Sequence, residues 1–348
     1  MPSFHIVSIV IAPCIVFLFS WWLTRRLCDQ ESALHLLDHP NERSLHDRPT
    51  PRTGGLAVLL SAGVGFGLIL LSDVVTLKSV DMWIMGATAV LAAVSFCDDR
   101  WGLPPLLRLC IHVAAAIGVV VGGGLVLEAI SVPFAGEIRI GWVALPVTVL
   151  FLVWMTDLYN FMDGMDGFAG GMTMLGFAVL AYFGWQSGNP FIFVTASVLS
   201  AGAAGFLFHN FPPARIFMGD VGSVPIGFLS GSLAVLGMRE RSFDLWVPLV
   251  LFSPFVVDAT MTLIRRTWKG ERIWEAHRTH YYQRLVLAGW GHRRTVLVEY
   301  GLMLLCGALA VLYHGGTEWQ QAGVLLAVAA VYGGVIVGVQ LVERRVRS

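Results

Sequence analysis

The sequence has little charge, few cysteines and no polar stretch long enough for a soluble domain. Of its 348 residues 13% are charged, against about 25% in an ordinary soluble chain. Hydrophobic residues make up 56%, and mean hydropathy is +0.71. A soluble globule has no way to cover that much apolar surface. Lys and Arg (23) balance Asp and Glu (23), so the chain is neither a basic nucleic-acid binder nor a charged disordered one. The five cysteines have neither metal-ligand nor redox spacing. Cys14, Cys97, Cys110 and Cys306 lie in apolar runs and Cys28 just past one, as small packing residues do. No basic residue precedes the first apolar run, Phe4 to Leu23. Arg25 and Arg26 follow it, the reverse of a signal peptide, which predicts a retained span with its N-terminus outside. Internal repeats and low-complexity tracts are absent.

What is present is a series of apolar runs, near 4–24, 55–72, 81–97, 105–124, 141–158, 167–185, 190–208, 224–238, 245–264, 295–313 and 320–342. At roughly 20 apolar residues per crossing, they predict an all-α, polytopic helical bundle of about eleven spans. The chain reads as a single transmembrane domain, 1–348. An outside (periplasmic) N-terminus and an odd count put the C-terminus inside. Of the 23 Lys and Arg, only Lys78, Arg139, Arg239 and Arg241 then remain outside. The outside segment 125–140 is β-rich around Pro133 and Gly136 and predicts a short hairpin.

Acidic residues gather at one face. Asp98 and Asp99 end the third span. Asn160, Asp163 and Asp166 form N-F-M-D-G-M-D-G after the fifth, and Asp220 lies in F-M-G-D-V-G-S before the eighth. A single Asp at a span end is commonly a helix cap, and Asp166 and Asp220 both precede helical runs. Three grouped clusters need cationic partners, because neighbouring carboxylates repel. Oxygen donors without thiolates favour a hard cation, Mg²⁺ or Mn²⁺, which completes its shell with water and phosphate oxygens. Gly164, Gly167, Gly219 and Gly222 let backbone approach a phosphate closely. The inside loops 38–55 and 265–294 are rich in Arg, suited to anionic substrates or to lipid headgroups. Asp258 sits inside the ninth span with Thr262 and Arg265 on about the same face, which predicts a structural Asp–Arg pair, a direct substrate role being the alternative. Glu299 reads as interfacial and His112 as a packed histidine. From residues alone, this is an inner-face membrane enzyme acting on a metal-bound phosphate or diphosphate. A transporter or flippase would instead carry its ionisable groups near the bilayer midplane.

With these motifs in view, the sequence resembles the polyprenyl-phosphate N-acetylhexosamine-1-phosphate transferases. This superfamily includes the phospho-N-acetylmuramoyl-pentapeptide transferase and the initiators of enterobacterial common antigen and O-antigen. The resemblance rests on loop 38–55, the Asp98–Asp99 pair, N-x-x-D-G-x-D-G at 160–167 and H-N-x-P-P-A-R-I-F-M-G-D-V-G-S at 209–223. It implies transfer of a sugar-1-phosphate from a UDP-N-acetylhexosamine donor to undecaprenyl phosphate in the bilayer of the bacterial inner membrane. UMP is released on the cytoplasmic face. It implies Asp220 and Asn160 as ligands of Mg²⁺ (or Mn²⁺). Asp98 would take the acceptor's proton and Asp99 support the metal or lipid phosphate, a phospho-aspartate route being the alternative. Asp163 and Asp166 would bind uridine or support the residues that do, Phe217 would stack on uracil, Gly219 would contact the substrate, and Arg48 would lie near the diphosphate. Catalytic loops are expected at 25–54, 98–105, 157–167, 209–223 and 265–294. Relatives are often dimers, which makes a homodimer a candidate state. Many relatives carry His-x-His-His in the last long loop; here E-A-H-R-T-H-Y-Y-Q-R-L occupies 275–285. His280 matches the first His, and Tyr282 and Gln283 replace the others. This form resembles a subgroup that starts O-antigen with N-acetylfucosamine, N-acetylquinovosamine or N-acetylgalactosamine phosphates. It implies His277, Arg278 and His280 as donor contacts and a 6-deoxy sugar, with UDP-GlcNAc or UDP-GalNAc as the alternative donor.

Overall fold

The computed structural model describes residues 2–32, 34, 36–40, 44–272 and 277–347, with side chains from Val10 to Val346. Arg43 of the first basic loop and Glu275 and Ala276 of the last lie outside the described residues. Each apolar run folds as helix, because a backbone that meets lipid must satisfy its hydrogen bonds within its own segment. The first four helices are α1 (Pro2–Leu27), α2 (Gly54–Leu70), α3 (Ser79–Trp101) and α4 (Pro105–Ile117), the last extended by a π turn to Gly122. Then follow α5 (Ala144–Phe161), α6 (Phe168–Gln186), α7 (Pro190–Asn210) and α8 (Asp220–Arg239). The ninth run breaks at Phe252 into α9 (Trp246–Leu251) and α10 (Ser253–Trp268). A short α11 (Tyr281–Leu285) leads into α12 (Gly291–His314) and α13 (Glu318–Arg347). Among the described residues, nine helical stretches are long and apolar enough to cross a membrane. The 17-residue α2 falls short of that length, and neither α9 nor α10 reaches it alone.

The few strands form two antiparallel pairs. Leu37–Asp38 (β1) pairs with Thr50–Pro51 (β2) and closes the first basic loop. Ala129–Val132 (β3) pairs with Gly136–Arg139 (β4), the hairpin expected within 125–140.

Helix α8 is the axis of the bundle, buried along almost its whole length and packed against α3 and α5. Its small residues permit this. Gly222 meets Gly55 of α2 so closely that a Cβ on either would lie within 2.6 Å of the other's Cα. The periphery is apolar instead. Leu71, Val121, Trp142, Leu150, Leu312 and Leu326 are exposed, as a lipid-facing belt requires.

Candidate active site

The site lies at one end of the bundle, where α3, α5 and α7 finish and α2, α4, α6 and α8 begin. The first loop is sewn to the loop before α8. Phe217 N donates to Pro51 O (2.7 Å), and Gly54 N and Gly55 N donate to Phe217 O (2.9 Å) and Met218 O (2.8 Å). This stitching brings Gly219 against Arg52 and Asp99. Gly219 has φ of +73°, and a Cβ there would sit 2.0 Å from Arg52 O and 3.0 Å from Asp99 Oδ2. Only glycine satisfies both the left-handed backbone and the contact.

The carboxylates converge around the first turn of α8. Asp99 accepts from Val221 N (2.9 Å) and Asp220 N (3.4 Å), satisfying amides that a helix start leaves without partners. Arg52 Nε lies 3.5 Å from Asp99 Oδ1, and its Nη2 donates to Asp99 O. Arg108 on α4 bridges two carboxylates, 2.9 Å from Asp98 Oδ2 and 3.3 Å from Asp220 Oδ2. Leu103 N donates to Asp98 Oδ1 (2.6 Å). Asn160 Nδ2 donates to Asp220 Oδ1 (2.7 Å) and Ser223 Oγ (3.0 Å). Asp163 Oδ2 accepts from Gly219 N (3.0 Å). Burial and the nearby Asp220 and Asp99 push the Asp163 carboxyl well above the usual carboxylate range, against the opposing pull of the Gly219 amide.

Asp98, Asp99, Asn160, Asp163, Gly219 and Asp220 therefore meet, as their spacing anticipates. Asp166 turns aside: its Oδ2 accepts from Ala214 N (2.9 Å) and its Oδ1 pairs with His292 Nδ1 (2.9 Å), tying the turn to α12. Phe217 packs against the His46 ring at 4.9 Å between centroids. Arg48 is exposed, and among the described residues Arg52 is the arginine of this loop that reaches Asp99. Arg278 is exposed as well, on the loop that precedes α11. His277 stacks near His280, at 4.8 Å, with Nδ1 3.1 Å from Thr279 Oγ1. Burial first, then His280, Arg266 and Arg265, lower the His277 imidazole to about 4.

Asp258 corrects the expected Asp–Arg pair. Its Oδ1 accepts from Tyr281 N (2.9 Å) and Thr262 Oγ1 (3.2 Å) and lies 3.1 Å from His280 Nδ1, while Oδ2 accepts from Tyr282 N (3.0 Å). Arg265 instead donates to Thr279 O (2.6 Å). The carboxylate satisfies the amides at the start of α11, so its partner is His280 of the loop before α11 and not the arginine. His112 also departs from simple packing: Nδ1 lies 2.7 Å from Asp157 Oδ1. Glu299 is buried within the bundle.

Sequence reading missed Arg52, Arg108, Asp157 and His292. A signal existed for two of them. Asp157 is a carboxylate inside an apolar run, one turn before Asn160, and Arg108 precedes His112 by one turn of α4. Beside these residues an apolar groove of about 520 Å³ runs between α4 and α5, lined by Leu109, Val113, Val121, Pro146, Leu150 and Val153.

Among the described residues, no three His, Cys, Asp or Glu side chains form a ready-made metal cage. The donor chemistry nonetheless fits a hard divalent cation. The carboxylates of Asp98, Asp99, Asp163 and Asp220 face two guanidiniums, Arg52 and Arg108. These carboxyl groups outnumber the guanidiniums among oxygen ligands, and Mg²⁺ needs only one or two protein carboxylates.

Comparison with known proteins agrees with this geometry. Residues 82–238, which hold Asp98, Asp99, Asn160, Asp163, Asp166 and Asp220, match the family model described as glycosyl transferase family 4. The chain is 32% identical over 286 residues to a Bacillus subtilis (strain 168) protein named "Probable undecaprenyl-phosphate N-acetylglucosaminyl 1-phosphate transferase", covering 81% of this chain and 78% of that protein. It is 30% identical over 329 residues to the decaprenyl-phosphate N-acetylglucosaminephosphotransferase of Mycolicibacterium smegmatis, covering 84% of this chain and 80% of that one. It is 32% identical over 302 residues to the phospho-N-acetylmuramoyl-pentapeptide-transferase of Synechococcus sp. (strain JA-3-3Ab), covering 79% and 80%. The chain belongs to glycosyl transferase family 4, among its membrane-bound polyprenyl-phosphate sugar-phosphate transferases.

Proposed function

We propose that this protein moves N-acetylhexosamine-1-phosphate from a UDP-sugar to undecaprenyl phosphate at the cytoplasmic face of the bacterial inner membrane. The observation that carries this reading is the meeting of Asp98, Asp99, Asn160, Asp163 and Asp220 with Arg52 and Arg108 at one end of the bundle. Such a cluster handles phosphates through charge and position, which is most of what phosphoryl transfer requires.

In this reading an oxygen of the acceptor phosphate attacks the sugar-bearing phosphorus of the donor. The bond from that phosphorus to the oxygen bridging to UMP breaks, and UMP leaves with the bridging oxygen. Asp98, which accepts from Leu103 N–H and pairs with Arg108, takes the acceptor's proton where the phosphate arrives protonated. Arg108 grips the acceptor phosphate, and the α4–α5 groove takes the prenyl chain. Arg52, held by Asp99, faces the donor diphosphate. Phe217 stacks on uracil, with Arg48 and Asp166 at the rim. Asp220 and Asn160 are the residues to hold Mg²⁺ or Mn²⁺, which supplies neutralisation of diphosphate charge when bound.

The loop of His277, Arg278 and His280 faces the sugar. Its Tyr282 and Gln283 support a 6-deoxy sugar such as N-acetylfucosamine or N-acetylquinovosamine, and a role in starting O-antigen. The N-acetylglucosaminyl names of the Bacillus and Mycolicibacterium relatives favour UDP-GlcNAc as the second reading. Membranes containing the protein, given undecaprenyl phosphate, Mg²⁺ and one donor at a time, test both. Release of UMP from only the 6-deoxy donors supports the first, and turnover of UDP-GlcNAc the second. No release from any UDP-N-acetylhexosamine by the wild type ends both readings, with Asp220→Ala as the inactive control.

A further inference from the structure

The two residues that depart from His-x-His-His, Tyr282 and Gln283, point toward the catalytic turn. Tyr282 is fully buried, its ring 4.9 Å from Phe168 at the start of α6 and 5.9 Å from His280. Its backbone is fixed by the Asp258 carboxylate. Its hydroxyl donates to Phe161 O (3.2 Å), the last carbonyl of α5, where the helix leaves carbonyls without partners. The same hydroxyl occupies the space a side chain at Gly164 would need. A Cβ there would lie 2.3 Å from Tyr282 Oη, with the next contacts at 3.4 Å (Gln283 Nε2) and 3.5 Å (Tyr282 Cζ). Gly164 adjoins Asp163, which holds Gly219 N, and the turn begins at Asn160, which holds Asp220.

From this juxtaposition we propose that Tyr282 is a positioning residue for the phosphate-handling turn. Its hydroxyl pins the end of α5 and stops against Gly164, so that the donor loop and the 160–167 turn are held as one body. Tyr282 acts through Asn160 and Asp163 and has no part in the chemistry itself. The inference rests on the proposed transferase reading.

The geometry makes a compensating pair of substitutions diagnostic. Gly164→Ala collides with a buried oxygen that has nowhere to go, and Tyr282→Phe removes that oxygen and leaves only ordinary contacts. Rates of UMP release, donor and acceptor KM and melting temperature would be measured for wild type, each single variant and the double variant. Tyr282→Phe alone is expected to lower kcat several-fold, with acceptor KM unchanged and melting within a few degrees of wild type. Gly164→Ala alone is expected to lose far more, and the double variant to regain about tenfold in kcat over Gly164→Ala, the strong coupling expected of touching groups. Losses that simply multiply in the double variant would overturn the inference while leaving the transferase reading intact. A Tyr282→Phe enzyme with wild-type kcat would do the same. A wild type that releases no UMP from any donor would remove the reading and this inference together.

Discussion

At the scale of single residues the tightest position is Gly219. Its amide serves Asp163, its φ is positive, and Arg52 O lies where a Cβ would go. Gly219→Ala combines steric overlap with backbone strain, each about 1–3 kcal/mol. The expected outcome is a melting temperature several degrees lower and almost complete loss of UMP release, read by thermal unfolding in detergent beside the activity assay. An alanine variant that melts and turns over normally would show that the loop before α8 can move away from Arg52. His277 yields a prediction about pH. Burial and the charges of His280, Arg266 and Arg265 hold its imidazole at about 4, below the ordinary 6.5, with Asp258 opposing them. The folded state thus resists a proton that the unfolded chain accepts. Stability contributed by neutral His277 is intact above about pH 6.5, falls as pH drops toward 4, and changes no further below that. NMR titration of the labelled imidazole should find it neutral at pH 5.5, and His277→Gln should flatten this part of the stability profile. Titration near 6.5 would mean that the ring is far more hydrated than its packing implies.

At the scale of elements, the break between α9 and α10 and the short α11 belong to one device. Asp258 on α10 accepts from Thr262, His280, Tyr281 and Tyr282, so one carboxylate fixes the entire start of α11. Arg284 then clamps the far end of α11 to Glu343 on α13 at 2.6–2.7 Å. Asp258→Ala would strand two amides and an imidazole at about 1–3 kcal/mol for each buried group, and should melt early or fail to accumulate. Asp258→Asn keeps one carbonyl acceptor. It should fold and raise donor KM about tenfold, one lost charge-assisted contact's worth, with acceptor KM unchanged. A wild-type donor KM in the Asn variant would detach the Asp258 clamp from donor binding. This element also marks where the sequence is legible. Asp258, Thr262 and Arg265 share a helix face, so an intrahelical partner is the local expectation. The real partner lies across a loop, which periodicity does not encode. The meeting of Asp98, Asp99, Asn160, Asp163 and Asp220 was legible because all lie at or beside span ends on one side, and topology alone gathers them. Arg52 and Arg108 were not, because an arginine near a span end looks the same whether it faces headgroups or carboxylates.

At the scale of the whole molecule the question is which end faces the cytoplasm, and how many crossings the chain makes. Helix α2 starts at the carboxylate end, where Gly54 and Gly55 bind Phe217 and Met218. The chain reaches the opposite end by Lys78, which pairs at 2.7 Å with Glu240 beyond the far end of α8. At about 1.5 Å per residue its 17 residues cover about 25 Å, short of a full bilayer core but enough to link the two ends. The broken helix does likewise: Trp246 of α9 donates to Ser131 O of the hairpin (2.6 Å), whereas Arg265 of α10 reaches Thr279 O in the loop before α11. Both short elements thus run end to end, which supports eleven traverses over the nine that length and hydropathy select. The hairpin end holds Lys78, Arg139 and Arg239, and the carboxylate end carries the long basic loops. Since basic residues are retained on the cytoplasmic side, the carboxylate end is expected there, with its UDP-sugar supply. Alkaline phosphatase inserted at the hairpin near Phe134 should be active, and the same reporter after Lys269 or Arg347 inactive. Green fluorescent protein at the C-terminus should fluoresce. Active phosphatase at Lys269 would invert the molecule and place the carboxylates where no cytoplasmic nucleotide sugar reaches them. Activity at Arg347 but not Lys269 would leave the site where it is and show instead that α12 and α13 together cross once.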